Sequence, residues 1–325
     1  MVTIPETNPI DPTLAAVDRA IEERAAQHPS RPYMGMSAIG HPCARALWYS
    51  FRWVAPKQWS AEVLKRFDDG DRGEEVMAAR LRLVSGMTLL TIDPQTGRQW
   101  AFSDHPGHLR GHLDGVVLGL LQAPTTWHCW EHKQVDEKKL AKLDGLKIDV
   151  GEKNALRQWD STYYAQAVVY MHYAGLSRHY LTVSSPGGRR TISCRTNADP
   201  AVAAVVISRA TRIIGSHKAP ARISEDPDSA LGCRWCEHRE VCHADSAPLI
   251  NCRTCRHSSP IANGEWHCAR WNKTLSLDEQ RQGCPSHLYL SSLVPGEEIA
   301  ADPRSAWVDY RLSDGRVWRN EGSGS

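Results

Sequence analysis

The 325-residue chain has no long apolar run, no surplus of either charge, no phosphate-binding glycine loop and no internal repeat. Each absence excludes something. Apolar stretches such as residues 116–121 fall far short of the roughly 20 residues that cross a bilayer, so no membrane role is expected. Residues 1–20 lack the basic start and apolar segment of a secretion signal, which makes the cytoplasm the expected compartment. Lys and Arg number 39 against 37 Asp and Glu, a net charge of +2. That balance neither demands nor forbids nucleic acid, because a local basic groove binds phosphate without moving the total. No Gly-x4-Gly-Lys-Ser/Thr loop appears, so no ATP-driven motor is built in, and no nicotinamide or flavin fingerprint supports redox chemistry.

What is present is the composition of a folded protein, 41% hydrophobic and 23% charged, long enough for one substantial core and a smaller module. Ten cysteines in a compartment that keeps thiols reduced point to metal ligands rather than disulfides. Cys129 and Cys194 stand alone in strand-like segments and read as buried core thiols. The other eight fall into two sets.

Residues 11–27 carry Leu14, Val17 and Ile21 at helical spacing before Pro29 and Pro32, so residues 1–30 are expected to form a helical arm. A helix over 61–84, interrupted near Asp69-Gly70, is expected to stop at Ser85-Gly86. Strands follow over 87–93, 98–102, 108–118 and 126–135, then a helix over 154–174. Residues 178–184 and 190–195 read as a hairpin around Pro186-Gly187-Gly188, and 200–214 as an amphipathic helix. The order predicts a mixed α/β core, a central sheet flanked by helices. Near the end, 307–312 and 317–318 suggest a hairpin, followed by a Gly/Ser tail expected to be disordered.

The chemistry concentrates on the 126–135 strand. In Glu131-His132-Lys133, period-two geometry points the carboxylate and the ammonium to one face. Seventeen residues upstream, Gly111-His112-Leu113-Asp114 brings an aspartate close enough to share a divalent ion with Glu131. Gly70-Asp71-Arg72-Gly73-Glu74 adds a carboxylate on the preceding helix, with Glu75 competing for that role one residue on. Gln166 and Tyr170 sit four apart on one helical face, in a stripe with Trp159, Tyr163 and Tyr173 that otherwise reads as core packing. Glu137-Lys138-Lys139 also matches Glu-x-Lys but lies in a polar run and reads as a solvated face.

These four motifs, Gly-x3-Glu, Gly-x2-Asp, Glu-x-Lys and Gln-x3-Tyr in this order, resemble the PD-(D/E)xK nuclease superfamily and within it the RecB-type nucleases. The resemblance runs roughly from residue 37 to 242. It implies a restriction-endonuclease-like fold, with Asp114 and Glu131 as ligands of Mg²⁺ or Mn²⁺ and Lys133 as the group that activates water or steadies the charged transition state. Glu74 would support the metal through water, while Gln166 and Tyr170 would position Lys133 and the phosphate backbone. Hydrolysing a phosphodiester needs such a hard cation on oxygen ligands, and a cation to offset developing charge.

The first cysteine set is Cys233-x2-Cys236-x5-Cys242, which lacks a fourth thiolate; Cys43 is the natural candidate. Four thiolates fit zinc or an iron–sulfur cluster. One cysteine before the nuclease motifs and three after them resembles the iron–sulfur staple of AddB-type and CRISPR-adaptation nucleases, and implies a [4Fe–4S] cluster joining the ends of the domain. The second set, Cys252, Cys255, Cys268 and Cys284, has gaps of 2, 12 and 15, close to a zinc ribbon, with His257, His267 and His287 ranked below the thiols as ligands. It resembles a C-terminal module of phage-encoded RecB-like exonucleases.

The expected organisation is therefore an arm (1–30), a nuclease domain with its staple (31–246), a zinc-binding module (247–292) and a C-terminal hairpin with a flexible tail (293–325). A chain ending near Ser246 is expected to keep its cleavage activity. The function so implied is a metal-dependent exonuclease acting on DNA ends in phage-type recombination or end processing, with a single-strand annealing protein or a helicase as potential partner. Two alternatives stand beside it: a CRISPR-adaptation-like nuclease trimming overhangs, and a non-catalytic iron–sulfur and zinc protein that binds DNA.

Overall fold

Four aspartates, one serine and one cysteine set where six of the helices begin. In the computed structural model, which describes residues 11–322 apart from 230, 245, 303 and 305, Asp11 caps α1 (Pro12–Ala26) and Cys43 caps α2 (Ala44–Phe51). Ser60 caps α3 (Ala61–Arg82), and Asp136 caps α4 (Glu137–Asp149). Residues 152–159 form α5 (Glu152–Trp159), Asp160 caps α6 (Ser161–Ala174), and Asp199 caps α7 (Pro200–Gly215). Each capping side chain accepts hydrogen bonds from backbone N–H groups that the first helical turn leaves unpaired. Residues 1–10 of the expected arm and residues 323–325 of the expected tail lie outside the described residues.

The central sheet contains β1 (Thr88–Leu90), β2 (Gly115–Leu118), β3 (His128–Gln134), β4 (Arg178–Ser184) and β5 (Thr191–Asn197), in the order β5-β4-β3-β2-β1. It is mixed: β3 and β4 run parallel, joined by α4, α5 and α6, and the other pairs are antiparallel. On one face, α3 lays Met77, Ala78 and Leu81 against Trp130, Val117 and Tyr180. On the other, α6 buries Ala165, Val168 and Val169 with Leu181 and Val183. The sheet thus lies between helical layers, as the sequence predicts.

Several local expectations need correction. The α3 helix is continuous through Gly70; a mid-helix glycine costs about 1 kcal/mol, which the apolar face packed on Trp130 outweighs. The polar run around Glu137 is solvated as expected, and forms the exposed face of the helix α4, whose Leu140 and Leu143 are fully buried beneath it. Asp160, extended at φ −154°, divides the expected 154–174 helix into α5 and α6. The expected 108–118 strand splits into Leu109–His112 and β2, which belong to different sheets, and Asp114 sits at the crossing. The C-terminal hairpin gains a third strand, Gly296–Ala301, beside Trp307–Leu312 and Val317–Glu321.

The cysteine-rich segment shares the main core. Trp266, Leu275 and Leu290 belong to the same buried cluster as Phe51 and Trp48. Two guanidiniums, Arg52 and Arg253, are fully buried at this contact, and among the described residues neither forms an ion pair. Arg253 donates to the carbonyls of Phe51 and Pro32 and to Gln280, with its guanidinium 3.7 Å from the Trp53 ring centre. Arg52 donates to the carbonyls of Arg253 and Ser216. Burial lowers both from the usual arginine range, to about 9 for Arg52 and about 8 for Arg253. Carbonyl acceptors and aromatic faces take the place of counter-ions.

Candidate functional site

Strand β3 is bonded to β2 on one side and β4 on the other, which fixes its side chains firmly. Glu131 and Lys133 share the face toward α6. Lys133 Nζ lies 2.6 Å from Glu131 Oε1, and Gln166 Nε2 from α6 donates to the same oxygen at 2.7 Å. Glu131 is 3% exposed, and its second oxygen, Oε2, is buried with no partner. A lone carboxylate oxygen held out of water is costly unless a cation meets it.

Asp114 reaches the same pocket from the crossing between the two sheets. The backbone N–H of His132 donates to its Oδ2 at 2.8 Å. His132 itself points to the opposite face, where its ring meets Thr182 and Ser184 at 3.0 and 3.1 Å. Burial lowers its pKa to about 4, so it stays neutral. α3 comes close enough on this face that a Cβ at Gly73 would lie 3.3 Å from Gln134 and 3.4 Å from His132. That approach brings the next residue, Glu74, half-buried to the site, whereas Glu75 is exposed.

The electrostatics follow from crowding. Burial, then the Asp114 charge, raises the Glu131 carboxyl to about 8, and the same two causes raise Glu74 to about 7. Burial also raises Asp114. Burial works against the Lys133 ammonium, but Glu131 and Asp114 outweigh it, and Lys133 remains firmly protonated. The arrangement is therefore three carboxyls and one ammonium, and full ionisation would place more negative charge there than one ammonium neutralises, which is why the carboxyls are raised. Tyr170, 2% exposed, is bonded by Gln166 and kept protonated by burial and by Glu131.

The structure thus brings Glu74, Asp114, Glu131, Lys133, Gln166 and Tyr170 together. Glu137 is elsewhere, paired with Arg190 at 3.5 Å. Within the aromatic stripe, Tyr163 lies beside the site, its ring centre 5.5 Å from Lys133 Nζ and 5.7 Å from Lys139 Nζ. Tyr173 bonds Asp104. The sequence reading missed the role of His132 as the backbone donor to Asp114; its place between Glu131 and Lys133 was the available signal.

The cysteines also gather. Cys43, Cys233, Cys236 and Cys242 line one small cavity, although Cys43 lies 190 residues from Cys233. Arg209 of α7 holds the loop before Cys43 by donating to the carbonyls of Ile39, His41 and Pro42, and Arg222 donates to the Cys242 carbonyl. Burial and the charges of Cys43 and Cys242 raise Cys233. Cys252, Cys255, Cys268 and Cys284 line a second cavity of about 410 Å³ together with His257 and His287, whereas His267 is not among its walls. Burial and the other three cysteines raise Cys252 to about 12. All ten cysteines are free thiols, and Cys129 and Cys194 are fully buried. Among the described residues, no three His, Cys, Asp or Glu side chains converge tightly enough to form a finished metal centre. Nor is any helix among them long and apolar enough to cross a membrane.

No known family matches the chain by sequence, and no curated protein matches it. Among solved structures it is similar to SSO0001, at 13% identity and a TM-score of 0.40, over 72% of this chain and 97% of that one. It is also similar to LHK-Exo in complex with dAMP (14% identity, TM-score 0.37, 56% of this chain and 86% of that one). The alkaline exonuclease LHK-Exo from Laribacter hongkongensis matches at 12% identity and a TM-score of 0.37, over 60% of this chain and 90% of that one. Similarity at this level is too loose to transfer the role of any residue.

Proposed function

We propose that this chain is a metal-dependent DNA exonuclease of the PD-(D/E)xK superfamily, RecB-type, acting on DNA ends in phage-type recombination or end processing. The observation that carries this reading is Glu131. One of its oxygens is held by Lys133 and Gln166, and the other is buried without a partner beside the buried Asp114. This donor set fits a hard cation, and two carboxylates suffice for Mg²⁺ or Mn²⁺, because such ions keep several waters. When bound, the cation would polarise a phosphate oxygen and lower the pKa of a water.

The remaining steps belong to the protein. The His132 N–H holds Asp114 in one orientation, and Gln166 does the same for Glu131. Lys133, fixed as an ammonium, lies where negative charge grows as phosphate is attacked. Glu74, with its carboxyl near 7, can take a proton from water at neutral pH. Tyr170, through Gln166, keeps the Glu131 side of the site in place.

The same reading assigns Cys43, Cys233, Cys236 and Cys242 to a [4Fe–4S] cluster and Cys252, Cys255, Cys268 and Cys284 to a structural zinc. Four thiols around one cavity suit either group. A four-thiolate zinc leaves no position for water and would serve the fold. The test is digestion of 5′- and 3′-labelled linear, nicked and circular DNA with Mg²⁺ or Mn²⁺. Shortening of linear DNA from its ends, lost in Glu131→Ala, is expected; undiminished digestion by that variant would overturn the assignment.

A further inference from the structure

We infer that the turn 261–264 of the cysteine-rich segment is a positioning element for Asp114, gripping the turn 106–108 and so fixing the strand that delivers this carboxylate. The inference rests on the reading of Asp114 as a ligand of a divalent cation.

Two hydrogen bonds make the grip. The Gly264 N–H donates to the Pro106 carbonyl at 2.6 Å, and His108 Nε2 lies 2.7 Å from the Ile261 carbonyl. A carbonyl can only accept, so Nε2 carries the hydrogen. The His108 ring is 2% exposed and stands edge-on to Phe51 and Trp266, with ring centres 5.6 and 6.1 Å away. The turns interlock at two glycines of positive φ. A Cβ on Gly107 would lie 2.6 Å from Gly264 N, and one on Gly264 would lie 3.0 Å from the Gly107 carbonyl oxygen and 2.7 Å from the tip of the Arg110 side chain. Only a residue without a side chain allows the backbones this close.

From there to Asp114 the path has no slack. The Leu109–His112 strand is bonded to Met34–Gly35 on one side and Ala101–Asp104 on the other, and Leu109 is fully buried. Gly111 is wedged so that a Cβ would lie 2.8 Å from both Met36 and Tyr170. Leu113, fully buried, donates its N–H to Trp100 at 3.0 Å. Asp114 then receives the His132 N–H. Close-packed segments pass a displacement on rather than absorb it, and metal ligands tolerate only about 0.5 Å of misplacement. The turn therefore acts through the strand on the oxygen offered to the cation.

The experiment uses the full chain with Gly264→Ala, His108→Leu and His108→Gln, the last retaining an amide donor in reach of the Ile261 carbonyl. The dissociation constant for Mn²⁺ is measured by calorimetry on the DNA-free protein, beside the Mg²⁺ concentration for half-maximal cleavage. Gly264→Ala and His108→Leu are expected to weaken both by about tenfold, the effect of disturbing a residue behind a metal ligand. DNA affinity without divalent ion, and iron and zinc content, should match the unaltered chain, and His108→Gln should stay near it. A lower melting temperature with unchanged Mn²⁺ affinity would overturn the inference and leave a merely structural contact. If Gly264→Ala does not fold, the two His108 variants decide by themselves. An unaltered chain that binds no Mn²⁺ and cleaves no DNA would remove the underlying reading; one that binds and cleaves while the variants match it would remove only this inference.

Discussion

Glu131 and Lys133 hang from a strand bonded on both sides, while Cys43 caps one short helix and Cys233, Cys236 and Cys242 lie in a segment with only two brief helical turns. The backbone holds the carboxylates in place although their charges repel. As thiolates the cysteines would repel one another as well, but from backbone with little regular bonding, so any group they bind would have to supply the order. Where a sheet does the positioning, losing a side chain removes chemistry and leaves the fold. Where a metal does it, losing a side chain removes the fold.

The sharpest way to break that comparison is to empty the carboxylate pocket. Asp114→Ala, Glu131→Ala and Lys133→Ala should each lower single-turnover cleavage by at least about 10³-fold, with the melting temperature unchanged or raised in the two carboxylate variants and lowered in Lys133→Ala, which leaves the buried carboxyls without their ammonium. Glu74→Ala should lower cleavage by about 10-fold or more, and Glu75→Ala and Glu137→Ala should do nothing measurable. A melting temperature that falls with activity in Asp114→Ala and Glu131→Ala would show that these carboxyls support the fold, as the cysteines are argued to do.

The cysteine side of the comparison predicts lost structure. Cys43→Ala should lose iron as completely as Cys236→Ala and melt at least about 10 °C lower, the scale of removing a structural metal. Full iron content in Cys43→Ala would place the fourth ligand elsewhere. A chain ending at Ser246 should lose its fold, not merely its zinc, because it uncovers Phe51 and Arg52 where Trp266 and Arg253 now pack. A soluble, active truncation would restore the separable module that the cysteine spacing suggested.

The geometry of the candidate site was legible because its parts obey local periods, while the roles given to its residues come from the resemblance of the four ordered motifs. Residues two apart on β3 share a face, and residues four apart on α6 do likewise, so Glu131 with Lys133 and Gln166 with Tyr170 follow from spacing alone. The central sheet flanked by helices followed from element order. What was not legible depends on distant packing. Nothing near Gly70 reveals that Trp130 will hold the helix straight, and nothing near Glu137 says that Leu140 and Leu143 find a core. Nothing in the sequence around Arg253 says that its guanidinium is buried; only the fold encloses it among Trp53, Phe51 and Trp266. The shared core of the cysteine-rich segment was hidden for the same reason.

The smallest expected effect sharpens the comparison through pH. In the unfolded chain Glu131 ionises in the ordinary glutamate range near 4.5, while in the fold burial and Asp114 raise it to about 8. Between these values the folded protein holds a proton that the unfolded chain releases, so stability falls as pH rises through that window. Glu74, raised to about 7, acts in the same direction over a narrower range. Stripped of divalent ions, the protein should therefore melt several degrees lower at pH 8 than at pH 5.5, of order 5 °C on the usual scale. Glu131→Gln, which cannot ionise, should flatten that slope and melt higher than the unaltered chain at pH 8. Adding Mn²⁺ should flatten it too, because a cation on Oε2 replaces the proton. Differential scanning calorimetry of both chains across this range, with and without Mn²⁺, is the measurement. A melting temperature that instead rises with pH in the metal-free protein, and does so equally in Glu131→Gln, would mean that Glu131 is already compensated in the fold and that its unpartnered oxygen needs no cation.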